Sequence, residues 1–194
     1  MNDSAPHSRR DTHVCPHQGA FMLDNWIRKI IQNPDRILGK YIRKGDTVLD
    51  IGCGPGFFAT EMAKMVGKTG KVFAVDLQEE MLNKVRKKAA AKNVAAVMAY
   101  HRCSGNRIGI QLHDPADFIL AYYVVHELPD AARFFEEVKH LLKQSGRCLV
   151  VEPRMHVGKS QFQKMIRTAK KLGLSVIERP NHKGGRSVLL ALGR

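Results

Sequence analysis

The chain has 194 residues, 44% of them hydrophobic, and its formal net charge is +14 at pH 7. This length has room for one α/β domain and little more. Because no apolar run approaches the roughly 20 residues needed to cross a bilayer, and the N-terminus lacks the apolar core of a signal peptide, we expect a cytoplasmic protein without a membrane-spanning helix.

The N-terminal part of the sequence predicts a flexible segment followed by helices. Residues 1–18 are polar and rich in histidine and arginine, which is typical of a flexible segment. Over residues 19–44 apolar side chains recur at helical spacing, and this predicts a helical cap, with a first helix at about 20–32. Asn33 and Pro34 are the residue types preferred at an N-cap and in a first turn, so a second helix is expected to begin there.

Beyond this cap, short apolar runs alternate with amphipathic stretches. That alternation predicts a mainly parallel sheet covered by helices on both faces. With the cap it forms a single domain, residues 19–194. The predicted strands are 48–51, 72–76, 94–100, 116–125, 147–152, 174–179 and 186–193, and the predicted helices after the cap are 57–66, 78–92, 130–143 and 159–172. Ser145 and Gly146 are expected to form the turn into the fifth strand.

The most informative segment is Val-Leu-Asp-Ile-Gly-Cys-Gly-Pro-Gly at residues 48–56. Glycines at alternate positions let the backbone turn sharply and approach a ligand without a Cβ in the way. Asp76 ends the second predicted strand, and an acidic residue about 20 positions past such a loop suits a pair of ribose hydroxyls. The sequence therefore predicts a cofactor that contains a nucleoside.

The details of the loop favour S-adenosylmethionine over a dinucleotide. The dinucleotide fingerprint is Gly-x-Gly-x-x-Gly, but here Gly56 comes one position early and Phe57 stands where the third glycine is required. Asp50, at the entrance of the loop, would be poorly placed beside phosphates and well placed beside a cationic amino group.

Four segments together resemble the class I S-adenosylmethionine-dependent methyltransferases. They are VLDIGCGPGFFA at 48–59, VFAVDLQEEML at 72–82, ADFILAYYVVHELPD at 116–130 and LLKQSGRCLVVEP at 141–153. The resemblance covers roughly residues 35–194. It implies a doubly wound, Rossmann-like sheet of seven strands in the order 3-2-1-4-5-7-6, mainly parallel with an antiparallel last strand and preceded by N-terminal helices.

The resemblance also implies roles in cofactor binding. Asp50 would hold the amino group, Asp76 would accept hydrogen bonds from both ribose hydroxyls, and Leu77 would pack on the adenine face. The acidic residue that often follows the third strand in this family is absent, so Cys103 or Ser104 would have to recognise the adenine edge. The full predicted set is Asp50, Gly52, Cys53, Gly54, Gly56, Asp76, Leu77, Cys103, Ser104 and Ala121.

Candidate catalytic residues follow the fourth predicted strand. Methyl transfer needs alignment and desolvation, and it needs a general base only where the acceptor must lose a proton early. His126 has the intrinsic pKa of such a base, about 6.5, although a packing role fits it equally. The predicted catalytic set is Tyr122, His126 and Glu127. Other candidates for the acceptor pocket are Glu152 and His156, and Asp24, Asn25 and Trp26 are candidates for a lid.

The acceptor and the partners remain open on the sequence alone. Residues 121–124 read Ala-Tyr-Tyr-Val, without the Pro-Pro-aromatic segment of nucleobase amino methylation, and this favours a small-molecule acceptor. The net charge of +14 keeps an RNA or protein acceptor open, and a non-catalytic cofactor-binding regulator is the third alternative. A monomer and a homodimer are both compatible with the sequence.

The cysteines predict neither disulfides nor a metal site. They stand at positions 15, 53, 103 and 148 without a C-x-x-C pair, which is typical of a reducing compartment. His13, Cys15 and His17 would offer too few ligands for a full site, so we expect no bound metal.

Overall fold

The computed structural model describes residues 32–193. Its helices are α1 (Pro34–Leu38), α2 (Ala59–Val66), α3 (Glu79–Ala91), α4 (Ala131–Leu141) and α5 (Lys159–Lys171). Its strands are β1 (Thr47–Ile51), β2 (Lys71–Asp76), β3 (Met98–Arg102), β4 (Ala116–Tyr122), β5 (Leu142–Pro153), β6 (Leu174–Glu178) and β7 (Gly185–Leu192). Short 3₁₀ turns occupy Ala95–Val97 and Val125–Glu127.

The strands form one seven-stranded sheet in the order β3-β2-β1-β4-β5-β7-β6. The pairs from β3 to β5 are parallel, and β7 is antiparallel to both of its neighbours. This confirms the predicted fold class and strand order. The order reverses between β1 and β4, and in open α/β sheets ligands bind beyond the carboxyl ends of the strands at such a reversal.

The central strands are buried on both faces. Successive side chains of a strand point to opposite sides, so Val48 and Leu49 belong to different hydrophobic clusters, as do Phe118 and Ile119. All four side chains are fully buried. Burial on both faces explains why these strands read as continuous apolar runs rather than as alternating patterns.

The start of the described chain agrees with the sequence prediction. The side chain of Asn33 accepts hydrogen bonds from the N–H groups of Asp35 and Arg36, at 2.9 and 3.3 Å, and so caps α1 as expected. The predicted helix at 20–32 lies almost wholly outside the described residues. So do the candidate lid (Asp24, Asn25, Trp26) and the cluster of His13, Cys15 and His17.

Some predicted boundaries were wrong because single residues take left-handed backbone conformations. The third strand was expected at 94–100, but Asn93 (φ 56°) folds the chain back after α3, and the strand starts only at Met98. The fourth strand was expected to reach residue 125, but Tyr123 (φ 63°) turns the chain out of the sheet after Tyr122.

The glycine loop and the fifth strand also differ from prediction. Helix α2 begins at Ala59, two positions later than expected, because Phe57 and Phe58 still belong to the turn after the glycines. Ser145 and Gly146 were predicted to form the turn into the fifth strand, but β5 already begins at Leu142, so Gly146 is part of the strand. It lies in a bulge within β5, between Leu142, which pairs with Ala116, and the next paired residue of the strand.

None of the helices in the described part of the chain combines the length and apolar character needed to cross a membrane.

Candidate active site

A cavity of about 430 Å³ opens at the carboxyl edge of the sheet, where the strand order reverses. Its walls come from the loops that follow β1, β2, β3, β4 and β5 and from one face of α4. Most of the predicted site residues line it: Gly52, Cys53, Gly54, Asp76, Leu77, Cys103, Ser104, Tyr122, His126 and Glu127. The cavity therefore gathers residues that are far apart in the sequence.

The glycine loop is held against β2 and leaves one face open. The N–H groups of Gly52 and Cys53 both donate to the carbonyl oxygen of Val75, at 2.9 and 3.0 Å. A Cβ on Gly52 (φ 68°) would lie 2.6 Å from a methyl carbon of Val124, so this glycine is required by packing. A Cβ on Gly54 (φ 50°) would meet nothing within 4 Å. The open backbone at Gly54 is the part of the loop that a ligand can approach.

Asp76 joins this loop to the start of α3. One carboxylate oxygen accepts from the N–H of Gly54 at 2.8 Å, and the other accepts from the N–H of Gln78 at 2.9 Å. The residue is 8% exposed, and burial raises the pKa of its carboxyl against the opposing effect of these backbone N–H groups. Its side chain lines the cavity, as the prediction for a ribose-binding acid requires.

Asp50, Gly56 and Ala121, also in the predicted cofactor-binding set, do not line the cavity. Asp50 is 2% exposed, and burial of the Cys53 thiol together with the negative charge of Asp50 raises the pKa of that thiol. Gly56 packs against Val85, 3.0 Å from where its Cβ would be. Ala121 lies in the middle of the sheet, between β1 and β5, and is fully buried because its side chain belongs to a hydrophobic cluster that covers one face of the sheet.

The wall after β3 contains the residues predicted at the adenine edge. The N–H of Cys103 donates to the carbonyl oxygen of Asp76 at 3.0 Å, and burial raises the pKa of the Cys103 thiol to about 11. Ser104 donates to the side-chain oxygen of Asn106 at 3.1 Å. Because the Cys103 thiol stays protonated at neutral pH, it is a weak nucleophile, and recognition of the adenine edge by Cys103 or Ser104 stays a prediction.

Sequence reasoning missed Glu137 of α4, which also lines this wall. One carboxylate oxygen accepts from the N–H of Gly109 at 2.8 Å, while the other is buried and has no hydrogen-bond partner among the described residues. The available signal was its position three residues after Phe134, because residues at this spacing share a helix face and Phe134 also lines the cavity. Nothing in the sequence showed that this face would meet the site.

In the wall formed by the segments that follow β4 and β5, His126 is hydrogen-bonded to a buried carboxylate. Glu152, at the end of β5, is fully buried, and one of its oxygens accepts from the N–H of Val125 at 2.9 Å. Its other oxygen is hydrogen-bonded to Nδ1 of His126. This hydrogen bond raises the pKa of His126, against the opposing effect of partial burial.

Further ionisable groups border His126. Burial raises the pKa of Glu127, and the nearby carboxylates of Glu152 and Asp76 add to that effect, while the histidines oppose it. The ring of His156, from the loop after β5, lies with its centroid 5.8 Å from that of His126. This wall therefore brings together several groups that can gain or lose a proton.

The aromatic part of the wall comes from the end of β4. The ring of Tyr122 is 6% exposed and packs against Phe58 and Tyr123, with centroids 4.6 and 4.3 Å apart. Tyr123 has a positive φ although it is not a glycine, and its N–H donates to the carbonyl oxygen of Val151 at 2.8 Å. Such backbone conformations are uncommon and concentrate at functional sites.

Comparison with known proteins assigns the family. Residues 42–183 match the family model described as a methyltransferase domain. This match spans most of the chain, so the chain belongs to the methyltransferase domain family. It is an S-adenosylmethionine-dependent methyltransferase, as the sequence motifs predicted.

The individual relatives have low sequence identity to this chain. The chain is 28% identical over 178 residues to a demethylmenaquinone methyltransferase of Lactobacillus johnsonii, covering 85% of this chain and 70% of that protein. It is 30% identical over 112 residues to a ubiquinone/menaquinone biosynthesis C-methyltransferase of Escherichia coli, a match that spans 57% of this chain and only 44% of the relative.

The fold has a counterpart among solved structures. A SAM-dependent methyltransferase from Aquifex aeolicus superposes with a TM-score of 0.77 and 24% identity, covering 90% of this chain and 97% of the other.

The geometry of the cavity fits S-adenosylmethionine. The compound carries a sulfonium, an ammonium and a carboxylate and is therefore a net cation, and in a protein of net charge +14 the lining carries more carboxylates than guanidinium groups. Besides His126 and His156, the ionisable acidic and basic residues of the lining are Asp76, Arg107, Glu127, Asp130 and Glu137. The open face of Gly54 and the carboxylate of Asp76 offer the surfaces that an amino-acid tail and a ribose need. When bound, S-adenosylmethionine supplies a methyl group that is electrophilic because it is attached to a positively charged sulfur.

Proposed function

We propose that this methyltransferase acts on a small organic molecule rather than on nucleic acid or protein. The observation that carries the proposal is the acidic lining of the cavity in an otherwise basic protein. An acidic lining repels phosphates and so opposes a nucleic-acid acceptor, while it suits a cationic cofactor beside a neutral acceptor. The relative from Lactobacillus johnsonii is named for a small molecule, demethylmenaquinone, and this supports the same class of acceptor.

The cavity divides into a part for the cofactor and a part for the acceptor. We assign the cofactor to the wall formed by Gly54, Asp76 and Leu77, where open backbone and a carboxylate meet. The acceptor then lies against the wall that contains Tyr123 and His126. In this arrangement the protein excludes water from the methyl group and aligns the acceptor with it, and both effects accelerate a displacement reaction.

The test is the formation of S-adenosylhomocysteine by the purified protein with panels of phenols, hydroquinones, amines, thiols, transfer RNA and a protein mixture. We expect product with small molecules and none with RNA or protein. Product that forms only with RNA or protein would contradict the proposal, and no product with any panel would favour a non-catalytic regulator.

Two variants control this experiment. Asp76→Asn should lose most of the activity, which excludes a contaminating enzyme. Asp117→Asn should keep it, because Asp117 contacts Thr47 and Lys143 at the amino end of the sheet, away from the cavity.

A further inference from the structure

The contacts of Glu152 determine which nitrogen of His126 is basic. Both oxygens of Glu152 face nitrogen atoms and accept hydrogen bonds as a carboxylate does, so Nδ1 of His126 carries the proton in its bond to Glu152. The unprotonated nitrogen is then Nε2. The side chain of His126 is 15% exposed and lines the cavity, while Glu152 is fully buried beneath it. Nε2 is therefore the nitrogen that a molecule in the cavity can reach.

The pair is held in place from several elements. The second oxygen of Glu152 is bonded to the N–H of Val125, so the carboxylate is fixed to the same 3₁₀ turn that carries His126. The other ionisable groups that face the pair are Glu127 on that turn and His156 from the loop after β5, and Asp76 at the end of β2 acts on Glu127 at longer range. The surroundings of His126 are thus mainly anionic, which strengthens it as a proton acceptor.

A general base held in a fixed position indicates which class of acceptor the site suits. An amine can attack the methyl group with its lone pair and lose its proton afterwards, and a thiol is partly ionised near neutral pH. A phenol-type hydroxyl has a pKa of about 10 and is a poor nucleophile until it loses its proton. The acceptor wall also contains the aromatic side chain of Tyr123, a residue type that packs well against a ring.

Resting on the proposed function, we infer that Glu152 is the positioning residue for His126 and that the acceptor is a phenol or hydroquinone whose hydroxyl proton is taken by Nε2. The hydroxyl proton moves to Nε2, and the electron pair of the broken O–H bond becomes available on the oxygen or, by delocalisation, on a ring carbon. That pair forms the bond to the methyl carbon, and the pair of the methyl–sulfur bond stays on sulfur. With attack through carbon, the ring then loses the proton at that carbon and the oxygen takes up a proton again, which restores the hydroxyl. In both cases one proton is released to solvent for each methyl transferred, and the position of the methyl group in the product distinguishes oxygen from carbon attack.

The first test needs no acceptor. In protein bound to S-adenosylhomocysteine, nitrogen-15 NMR should show that His126 is the Nδ1–H tautomer. The signals of His126 are assigned as those that disappear in the variant His126→Asn. In Glu152→Gln the amide can donate to Nδ1, so the tautomer should reverse and the pKa of His126 should fall. Asp114→Asn is a matched control, because Asp114 pairs with Nδ1 of His113 at 3.1 Å on the exposed surface. An unchanged tautomer and pKa in Glu152→Gln would overturn the positioning role.

The second test uses phenols of graded acidity. For weakly acidic phenols, Glu152→Gln and His126→Gln should each lower kcat by about 100-fold with KM changed less than about twofold, the scale of a lost general base. The deficit should shrink towards none with nitrophenols that are already ionised at neutral pH. A deficit that is the same for all phenols would show that Glu152 acts only in folding, and thermal melting of both variants checks that they are folded.

The outcomes separate this inference from the proposed function. If S-adenosylhomocysteine forms with amines or thiols but with no phenol or hydroquinone, the acceptor class is wrong while the proposed function stands. If no small molecule gives product, the proposed function fails, and the NMR result still decides whether Glu152 positions His126.

Discussion

Asp76 has both a structural and a binding role, and these can be separated by substitution. Asp76→Asn keeps the size of the side chain but loses the charge and at least one of the backbone bonds to Gly54 and Gln78. Hydrogen bonds to charged groups contribute about 1.5–3 kcal/mol, so we expect S-adenosylhomocysteine to bind roughly 10- to 100-fold more weakly by calorimetry. Asp117→Asn removes a comparable acceptor of a backbone N–H at the other end of the sheet and should leave the affinity unchanged. Equal affinities for the wild type and Asp76→Asn would remove Asp76 from the site.

Gly52 and Gly54 should respond differently to the same substitution. Gly54→Ala places a methyl group in open space facing the cavity. The free energy of unfolding should fall only by the cost of the left-handed backbone conformation for alanine, about 1–2 kcal/mol, while the affinity for the ligand should fall sharply. Gly52→Ala pays the same conformational cost and adds a clash with Val124 at 2.6 Å, so it should lower the free energy of unfolding further. Urea unfolding and calorimetry measure the two effects. If Gly54→Ala binds S-adenosylhomocysteine normally, the ligand does not approach the loop at that point.

At the scale of elements, the bulge in β5 depends on a glycine for space. A Cβ on Gly146 would lie 2.7 Å from the carbonyl oxygen of Ala116 and 2.9 Å from that of Lys143, and backbone atoms cannot move aside easily. Gly146→Ala should therefore lower the free energy of unfolding by about 2 kcal/mol, within the range for overpacked sites. Gly158→Ala, before α5, is the control, since nothing lies within 4 Å of its Cβ position. Similar urea midpoints for the two variants would contradict the expected crowding at the bulge.

The strands could be predicted more reliably than their ends. Residues such as Phe118 and Ile119 are buried on opposite faces, and an apolar run of this kind has few alternatives to a central strand. The ends depend on single backbone conformations. Asn93 and Tyr123 have positive φ values that their tertiary surroundings impose, and Tyr123 in particular is not a residue type that signals a turn. The sequence therefore predicted which strands exist but misplaced where β3 begins and β4 ends.

The candidate site divides in the same way. Asp76 and His126 could be proposed from the sequence because Asp76 ends one strand of a parallel sheet and His126 follows another. The hydrogen bond between His126 and Glu152 depends on the register that pairs Tyr122 with Val151, which periodicity does not determine. Glu137 could be placed only on the same helix face as Phe134, since the rotation of α4 about its axis, which decides whether that face meets the site, is set by packing against the sheet. The sequence thus indicated that the site lies at the carboxyl edge of the sheet, while the contacts between its side chains depend on the tertiary structure.

At the scale of the whole molecule, the site affects how stability depends on pH. The pKa of His126 is raised in the folded protein above the value of about 6.5 that histidine has in the unfolded chain. Between these two pKa values the native state therefore binds more protons than the unfolded state. The stabilisation from this group is complete below the unfolded pKa and is lost as the pH rises through the folded pKa. Urea titrations of wild type and Glu152→Gln across this window should show a steeper fall in the free energy of unfolding for the wild type. Parallel curves would show that the hydrogen bond to Glu152 does not favour protonated His126.

The distribution of charge over the molecule predicts how kcat/KM depends on salt concentration. The protein carries a net charge of +14, yet its cavity lining is acidic, so the basic surface and the reaction site are electrostatically distinct. For a neutral phenol or hydroquinone, kcat/KM should change by less than about twofold between 50 and 200 mM salt, because no net charge approaches the protein. An RNA acceptor would release counterions from its phosphates, and its binding would weaken by about 10³- to 10⁵-fold over the same range if 6–10 phosphates were contacted. Initial rates of S-adenosylhomocysteine formation at several salt concentrations measure this directly. A steep loss of kcat/KM with salt would indicate that the basic surface, rather than the acidic cavity alone, recruits the acceptor.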